Sequence, residues 1–103
     1  MVPLLEVVTE PSPEGVRVLA RGELDMNTAA EVTDALAAAG SAHSGAVVLD
    51  LSGITFIDST GLRVIVAASV DSTRSGSNLS ILPSPAVDRV IDLCDLRAQL
   101  PLA

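Results

Sequence analysis

The sequence predicts a single α/β domain, residues 1–103, with a mixed, mostly parallel sheet of four to five strands and helices packed on it. Three observations lead there. Strand-periodic and helix-periodic stretches follow one another in the order β-β-α-β-α-β-α, and strand–helix–strand repeats close as parallel pairs through right-handed crossovers. The run Ala46-Val47-Val48-Leu49-Asp50-Leu51 is nearly continuously apolar, as expected of a strand covered on both faces. A chain of 103 residues, 49% of them apolar, suits one core rather than two domains.

The elements follow in order. Residues 4–9 read as a strand, Pro11-Ser12-Pro13-Glu14-Gly15 as a turn, and residues 16–21 as a second strand with Val16, Val18 and Ala20 on one face, so the two form a hairpin. Thr28-Ala29-Ala30-Glu31 fits a capping box, the Thr28 hydroxyl taking the Glu31 amide. Ala29, Val32, Thr33, Leu36 and Ala37 then make one helical stripe. Residues 40–45 are a polar, small-residue loop, and residues 46–51 are the central strand. A second helix covers residues 59–74 and ends at Ser75-Gly76-Ser77-Asn78. Residues 79–82 are a short strand. Ser84 caps a third helix with Pro85 at its first position, its stripe being Val87, Val90, Ile91 and Cys94. Residues 96–102 are a short tail with room for an edge strand.

Composition excludes several functions. The six basic residues, all Arg, face thirteen acidic ones, and the net charge is −7. That balance argues against nucleic acid or an anionic membrane as direct partner and for a protein with a basic surface. Aromatics are 1% of the chain, with no Trp or Tyr, so the surface offers no obvious aromatic anchor. One cysteine, Cys94, rules out an internal disulfide or a cysteine zinc site, and its place on an apolar stripe marks it as core. No apolar run reaches membrane-spanning length, and the first residues lack a signal-peptide pattern. The expectation is a cytoplasmic protein without cofactor or metal. The single histidine, His43, sits in a loop and is assigned no role. With no Gly-x-Ser-x-Gly elbow and no phosphate-cradling glycine loop, an enzyme is not expected.

The most informative stretch is Val47-Val48-Leu49-Asp50-Leu51-Ser52-Gly53-Ile54-Thr55-Phe56-Ile57-Asp58-Ser59-Thr60-Gly61-Leu62. A strand leads through a short turn and a second apolar patch into a helix start that carries a carboxylate, two hydroxyls and a glycine. A helix start presents unpaired amides and the positive end of its dipole, so an anion is well tolerated there. A hydroxyl in that place becomes an anion by phosphorylation, which suits a switch.

Four segments together resemble the STAS domain, and within it the bacterial anti-sigma factor antagonists. They are Gly22-Glu23-Leu24-Asp25, Val47-Val48-Leu49-Asp50-Leu51-Ser52-Gly53, Phe56-Ile57-Asp58-Ser59-Thr60-Gly61-Leu62 and Ser84-Pro85-Ala86-Val87. The resemblance covers almost the whole chain. It implies binding to an anti-sigma factor that is also a serine kinase, with release of the sigma factor. It further implies phosphorylation of the serine after the Asp of the Asp-Ser motif, which ends the binding, and a phosphatase that restores it. Ser59 matches that serine, and Thr60 stands where many members carry a second hydroxyl.

Each residue also has a plainer reading. Ser59 is otherwise a helix N-cap. Asp58 is an ordinary N-cap, orients the Ser59 hydroxyl or contacts the kinase, and these roles are compatible. Thr60 is a helix-start hydroxyl or an alternative phosphosite. Gly61 is tolerated near a helix end, or lets the partner or its ATP approach the backbone. Leu62, Ile65, Val66 and Ser69 form the buried stripe of the second helix. Val64, Ala67, Ala68 and Val70 are left over, so some reach the surface as a docking patch. Arg63 pairs with a partner carboxylate or is simply solvated. Asp25 belongs to turn chemistry, and the resemblance places its loop beside the phosphorylation site as a partner contact. The rival function is a STAS subunit docked on a transporter ATPase.

Overall fold

A computed structural model describes residues 4–42 and 45–103. The elements are β1 (Leu5–Ser12), β2 (Gly15–Leu24), α1 (Ala29–Ala42), β3 (Ala46–Ile57), α2 (Ser59–Ser75), β4 (Leu79–Leu82), α3 (Pro85–Leu93) and a 3-10 turn, Arg97–Gln99. The sheet order is β1-β2-β3-β4. β1 runs antiparallel to β2, while β2–β3 and β3–β4 are parallel. The tail contributes only one parallel bridge, Leu102 with Ile81. The 3-10 turn is closed by backbone bonds such as the Gln99 amide to the Leu96 carbonyl, and Arg97 within it holds Asp92 at 2.7 Å and Asp88 at 2.8 Å, drawing the Asp92 carboxyl below its usual range through that hydrogen bond. Among the described residues no helix is long and apolar enough to cross a membrane.

Alternation decides where the core sits. Val16, Val18 and Ala20 of β2 lie beside Leu49 and Leu51 of β3 and Leu79 and Ile81 of β4, all buried. Ala29, Val32 and Ala39 of α1, Ile65 of α2, and Val87 and Ile91 of α3 complete the same cluster. The other face carries Leu19, Val48 and Leu82, each half-buried, and Val8, exposed. β3 is therefore helix-covered on one face only, not on both. Its apolar run reflects a central position between two strands. Asp50 is buried on the open face, where the Arg17 guanidinium lies 3.4 Å away and the Ser52 hydroxyl donates to it at 2.6 Å.

Several boundaries differ from those read in the sequence, each for an identifiable reason. β3 continues to Ile57 instead of ending at Leu51. Leu19 pairs with Asp50 but Arg21 with Gly53, and Gly22 pairs with Ile54 but Glu23 with Phe56. Each step inserts an extra residue into β3, a bulge. Buried Leu51, Ile54 and Ile57 consequently recur every third residue, which hides the strand from a period-two search. β1 runs to Ser12 through Pro11, which is tolerated because β1 is an edge strand.

The capping box does not form. The Thr28 hydroxyl donates to the Glu23 carbonyl at 2.8 Å and accepts the Asp25 amide at 3.0 Å, and the Glu31 amide goes to the Thr28 carbonyl. Thr28 is buried and ties down the loop before the helix. The α1 stripe is also rotated: Ala39 is buried and Ala35 half-buried, while Thr33 and Ala37 are exposed. In a run of Ala and Leu the apolar pattern carries no phase. Helix α1 continues through the first part of the expected loop, and His43 lies outside the described residues. Cys94 is exposed rather than core, because α3 stops at Leu93 and Cys94 becomes its C-cap. The Ser84 cap forms as expected, its hydroxyl oxygen accepting the Val87 amide at 3.1 Å.

Gly40 in α1 has no atom within 4 Å of a Cβ built on it. Gly40→Ala is expected to raise stability by about 0.5–1 kcal/mol, seen as a higher Tm. An unchanged or lower Tm contradicts it.

Candidate functional site

The site forms where β2 and β3 end side by side. Leu24 pairs with Ile57, and both strands then turn into helices. The β2 exit is a turn of residues 25–28, whereas β3 passes to α2 through Asp58 alone. The carboxyl ends of parallel strands and the amino ends of the following helices thus meet, the usual place for a site in an open α/β sheet.

Asp58 joins the two segments. Its backbone is extended (φ −109°, ψ −173°), as an N-cap requires. Its Oδ1 accepts the Gly61 amide at 2.9 Å, and its Oδ2 accepts the Met26 amide at 3.2 Å. Its own amide donates to the Leu24 carbonyl at 3.2 Å. Asp25 does the equivalent work next door, its Oδ1 accepting the Asn27 amide at 2.9 Å. Two carboxylates therefore organise two adjacent turns, and the Asp25 loop lies against the start of α2.

The N-cap of α2 is Asp58, not Ser59. Ser59 is the first residue inside the helix and is exposed. Its hydroxyl is not consumed by capping and stands where the helix dipole favours negative charge. Thr60 is half-buried and Arg63 exposed. Leu62 is half-buried and packs against the core cluster.

Gly61 differs from the expectation that a partner needs its backbone. It is buried, and an added Cβ would lie 2.6 Å from the Leu24 carbonyl oxygen, 2.8 Å from Ile57 Cγ1 and 2.9 Å from Leu24 Cγ. The close approach is internal: glycine lets the first turn of α2 rest on the end of β2.

Along α2, Ile65 and Ser69 are buried and Leu62 and Val66 half-buried, as the stripe predicts. Of the leftover residues, Ala67 and Val70 are exposed. Val64 and Ala68 line a groove of about 300 Å³ between α1 and α2, with Leu36, Val47 and Leu79. Asp71, Ser72 and Ser75 also line it, so it extends along the far half of α2, away from Ser59. Two residues are given no role of their own by the sequence. Met26 is 75% exposed and Phe56, the only aromatic, is 49% exposed. Phe56 reads in the sequence as part of an apolar patch, and its one signal is its place two residues before the cap.

Removing the cap should be measurable. Asp58→Ala is expected to cost about 1 kcal/mol and to speed hydrogen exchange at the Met26 amide. Asp58→Asn, whose single carbonyl oxygen can cap the Gly61 amide but not accept the Met26 amide as well, should cost less stability while still speeding exchange at Met26. Equal loss of stability in the two variants contradicts the assigned cap.

A family model described as "Mlab, STAS domain" matches residues 7–101. The chain belongs to the STAS-domain family. Among curated relatives of this STAS domain is the anti-sigma-F factor antagonist RsfB of Mycobacterium tuberculosis, in strains CDC 1551 / Oshkosh and ATCC 25618 / H37Rv. Each is 38% identical over 63 residues, covering 60% of this chain and 52% of the relative. The alignment thus spans about half the length of the curated relatives it matches. A crystal structure of an anti-sigma factor antagonist from Mycobacterium paratuberculosis superposes with a TM-score of 0.82 at 29% identity, covering 95% of this chain and 84% of that one. The unphosphorylated form of the anti-sigma factor antagonist SpoIIAA superposes with a TM-score of 0.73 at 20% identity, covering 95% and 88%, a likeness of fold. The mixed four-stranded sheet with three helices is the architecture of these proteins.

Proposed function

We propose that this STAS domain is an anti-sigma factor antagonist switched by phosphorylation of Ser59. The unphosphorylated form binds an anti-sigma factor that is also a serine kinase, and the sigma factor is released. The kinase transfers the γ-phosphoryl group of ATP to the Ser59 hydroxyl oxygen: that O–P bond forms, ADP leaves and the hydroxyl proton passes to base or solvent. A phosphatase later removes the phosphate. The chain is a kinase substrate rather than an enzyme, works in the cytoplasm, and needs neither nucleic acid nor membrane as direct partner.

The observation that carries this reading is the division of labour at the start of α2. Asp58 caps the helix, which leaves the Ser59 hydroxyl exposed at the first helical position. A phosphate there adds about −1.5 to −2 charges at the favoured end of the dipole, so the fold survives and the cost falls on the docked partner. Asp58, Thr60, Leu62 and Arg63 belong to the cap and first turns of α2, and Asp25 to the turn tied to Asp58; these are the residues assigned to the partner contact. Gly61, being buried, serves it by shaping the helix start. The test is capture from the native host. The wild-type chain is expected to retain an ATP-binding anti-sigma factor. Capture of a transporter ATPase instead would overturn the proposal in favour of a transporter subunit.

A further inference from the structure

Six large apolar side chains are exposed among the described residues, and two of them, Met26 and Phe56, belong to the segments that meet at the start of α2. The Met26 amide donates to the Asp58 carboxylate at 3.2 Å, so Met26 stands on one side of the cap. Phe56 pairs with Glu23 across the ends of β3 and β2 and precedes the cap by two residues. Neither side chain is part of the core cluster. Each projects from backbone that is held in place, Met26 by the Asp58 and Asp25 carboxylates around its turn and Phe56 by strand pairing. Backbone already held in place spares docking that part of the ordering cost.

Carboxylates outnumber guanidiniums around the pair. Glu23 pairs with Phe56, Asp25 precedes Met26, and the Asp58 carboxylate accepts the Met26 amide. Arg63 is one helical turn beyond Ser59.

We infer that Met26 and Phe56 are the two apolar anchors of the docking face, and that the partner offers there an apolar hollow rimmed by Arg or Lys. The inference rests on the antagonist reading above and names what that reading leaves open, the side chains that hold the partner. It also explains how the modification ends binding. Docking dries the surface between the anchors, and a phosphate on Ser59 places a strongly hydrated dianion within it. The basic rim faces the carboxylates and speeds association, and it offsets only part of the cost of drying the phosphate.

The experiment uses the full chain and the purified anti-sigma factor it captures, with affinity and melting measured for each variant. Met26→Ala and Phe56→Ala are each expected to weaken binding by about tenfold to thirtyfold at unchanged Tm. Met26→Leu should restore most of the loss. Leu93→Ala, which trims an apolar residue that is 79% exposed on α3, should bind like the wild type. Association should slow as ionic strength rises. If both alanine variants bind like the wild type while Ser59→Asp does not bind, the anchors are refuted and the antagonist reading stands. If Ser59→Asp binds like the wild type while the alanine variants fail, the switch is refuted and the anchors stand. If no anti-sigma factor binds at all, both are overturned.

Discussion

Ser59→Asp is expected to lose at least ten- to a hundredfold in affinity for the anti-sigma factor while melting at the wild-type temperature or a few degrees above it. The two halves of that result come from one place in the structure. Ser59 is the first residue of α2, with Asp58 already serving as cap. A carboxylate there meets the positive end of the helix, an interaction worth about 0.3–1 kcal/mol in favour of the fold. The same charge on the docking face must be desolvated or opposed when a partner closes over it, which costs several kcal/mol. True phosphorylation carries roughly twice the charge and should act more strongly. Moving a complex from mostly bound to mostly free takes about 5.5 kcal/mol, within reach of a buried dianion. Ser59→Ala should bind as tightly as the wild type and stay bound when kinase and ATP are supplied. Titration calorimetry with parallel thermal melts checks all of this. An Asp variant that unfolds would mean that the site is structural, not a local switch.

The second large effect is on stability. Gly61→Ala is expected to destabilise the protein by up to about 2 kcal/mol net, an overpacking cost of about 1–3 kcal/mol less the helix gain of alanine over glycine. A substituted methyl would press on the Leu24 carbonyl oxygen at 2.6 Å and on Ile57 Cγ1 at 2.8 Å. The first of these is backbone and cannot rotate away. Glycine in an ordinary helix position costs about 1 kcal/mol relative to alanine, so the two effects oppose and the clash should win. At this chain length the Tm should fall by about 4–8 °C per kcal/mol. Gly61→Val should be worse. The contrast with Gly40→Ala, where a Cβ meets open space, is the informative part: identical substitutions in two helices are expected to move the Tm in opposite directions. If both raise it, the packing of α2 on β2 is looser than described.

Where chemistry is local, the sequence displays the architecture directly. Ser84-Pro85 announces the start of α3, and the Asp-Ser pair announces that of α2, because a cap is made by its own neighbours. The central strand is legible only as far as Leu51, since two bulges replace alternation by a three-residue interval. The run 35–39 of α1 is Ala and Leu throughout, so its inward face is chosen by what lies beneath it. Thr28 has the spacing of a cap yet is buried holding the Glu23 carbonyl, a tertiary contact that spacing cannot display. The site follows the same division. Ser59 and Asp58 stand out by their local pattern. The internal reason for Gly61, and the exposure of Met26 and Phe56, depend on how the ends of β2 and β3 meet.

The most direct measurement is phosphosite mapping under turnover. The full chain is incubated with its cognate anti-sigma kinase and ATP, digested, and read by mass spectrometry, with affinity measured on the same sample. A single phosphate on Ser59, appearing in step with loss of binding, is the expected result. Phosphate on Thr60 or elsewhere with Ser59 untouched, or full Ser59 phosphorylation with affinity unchanged, would contradict the proposed switch.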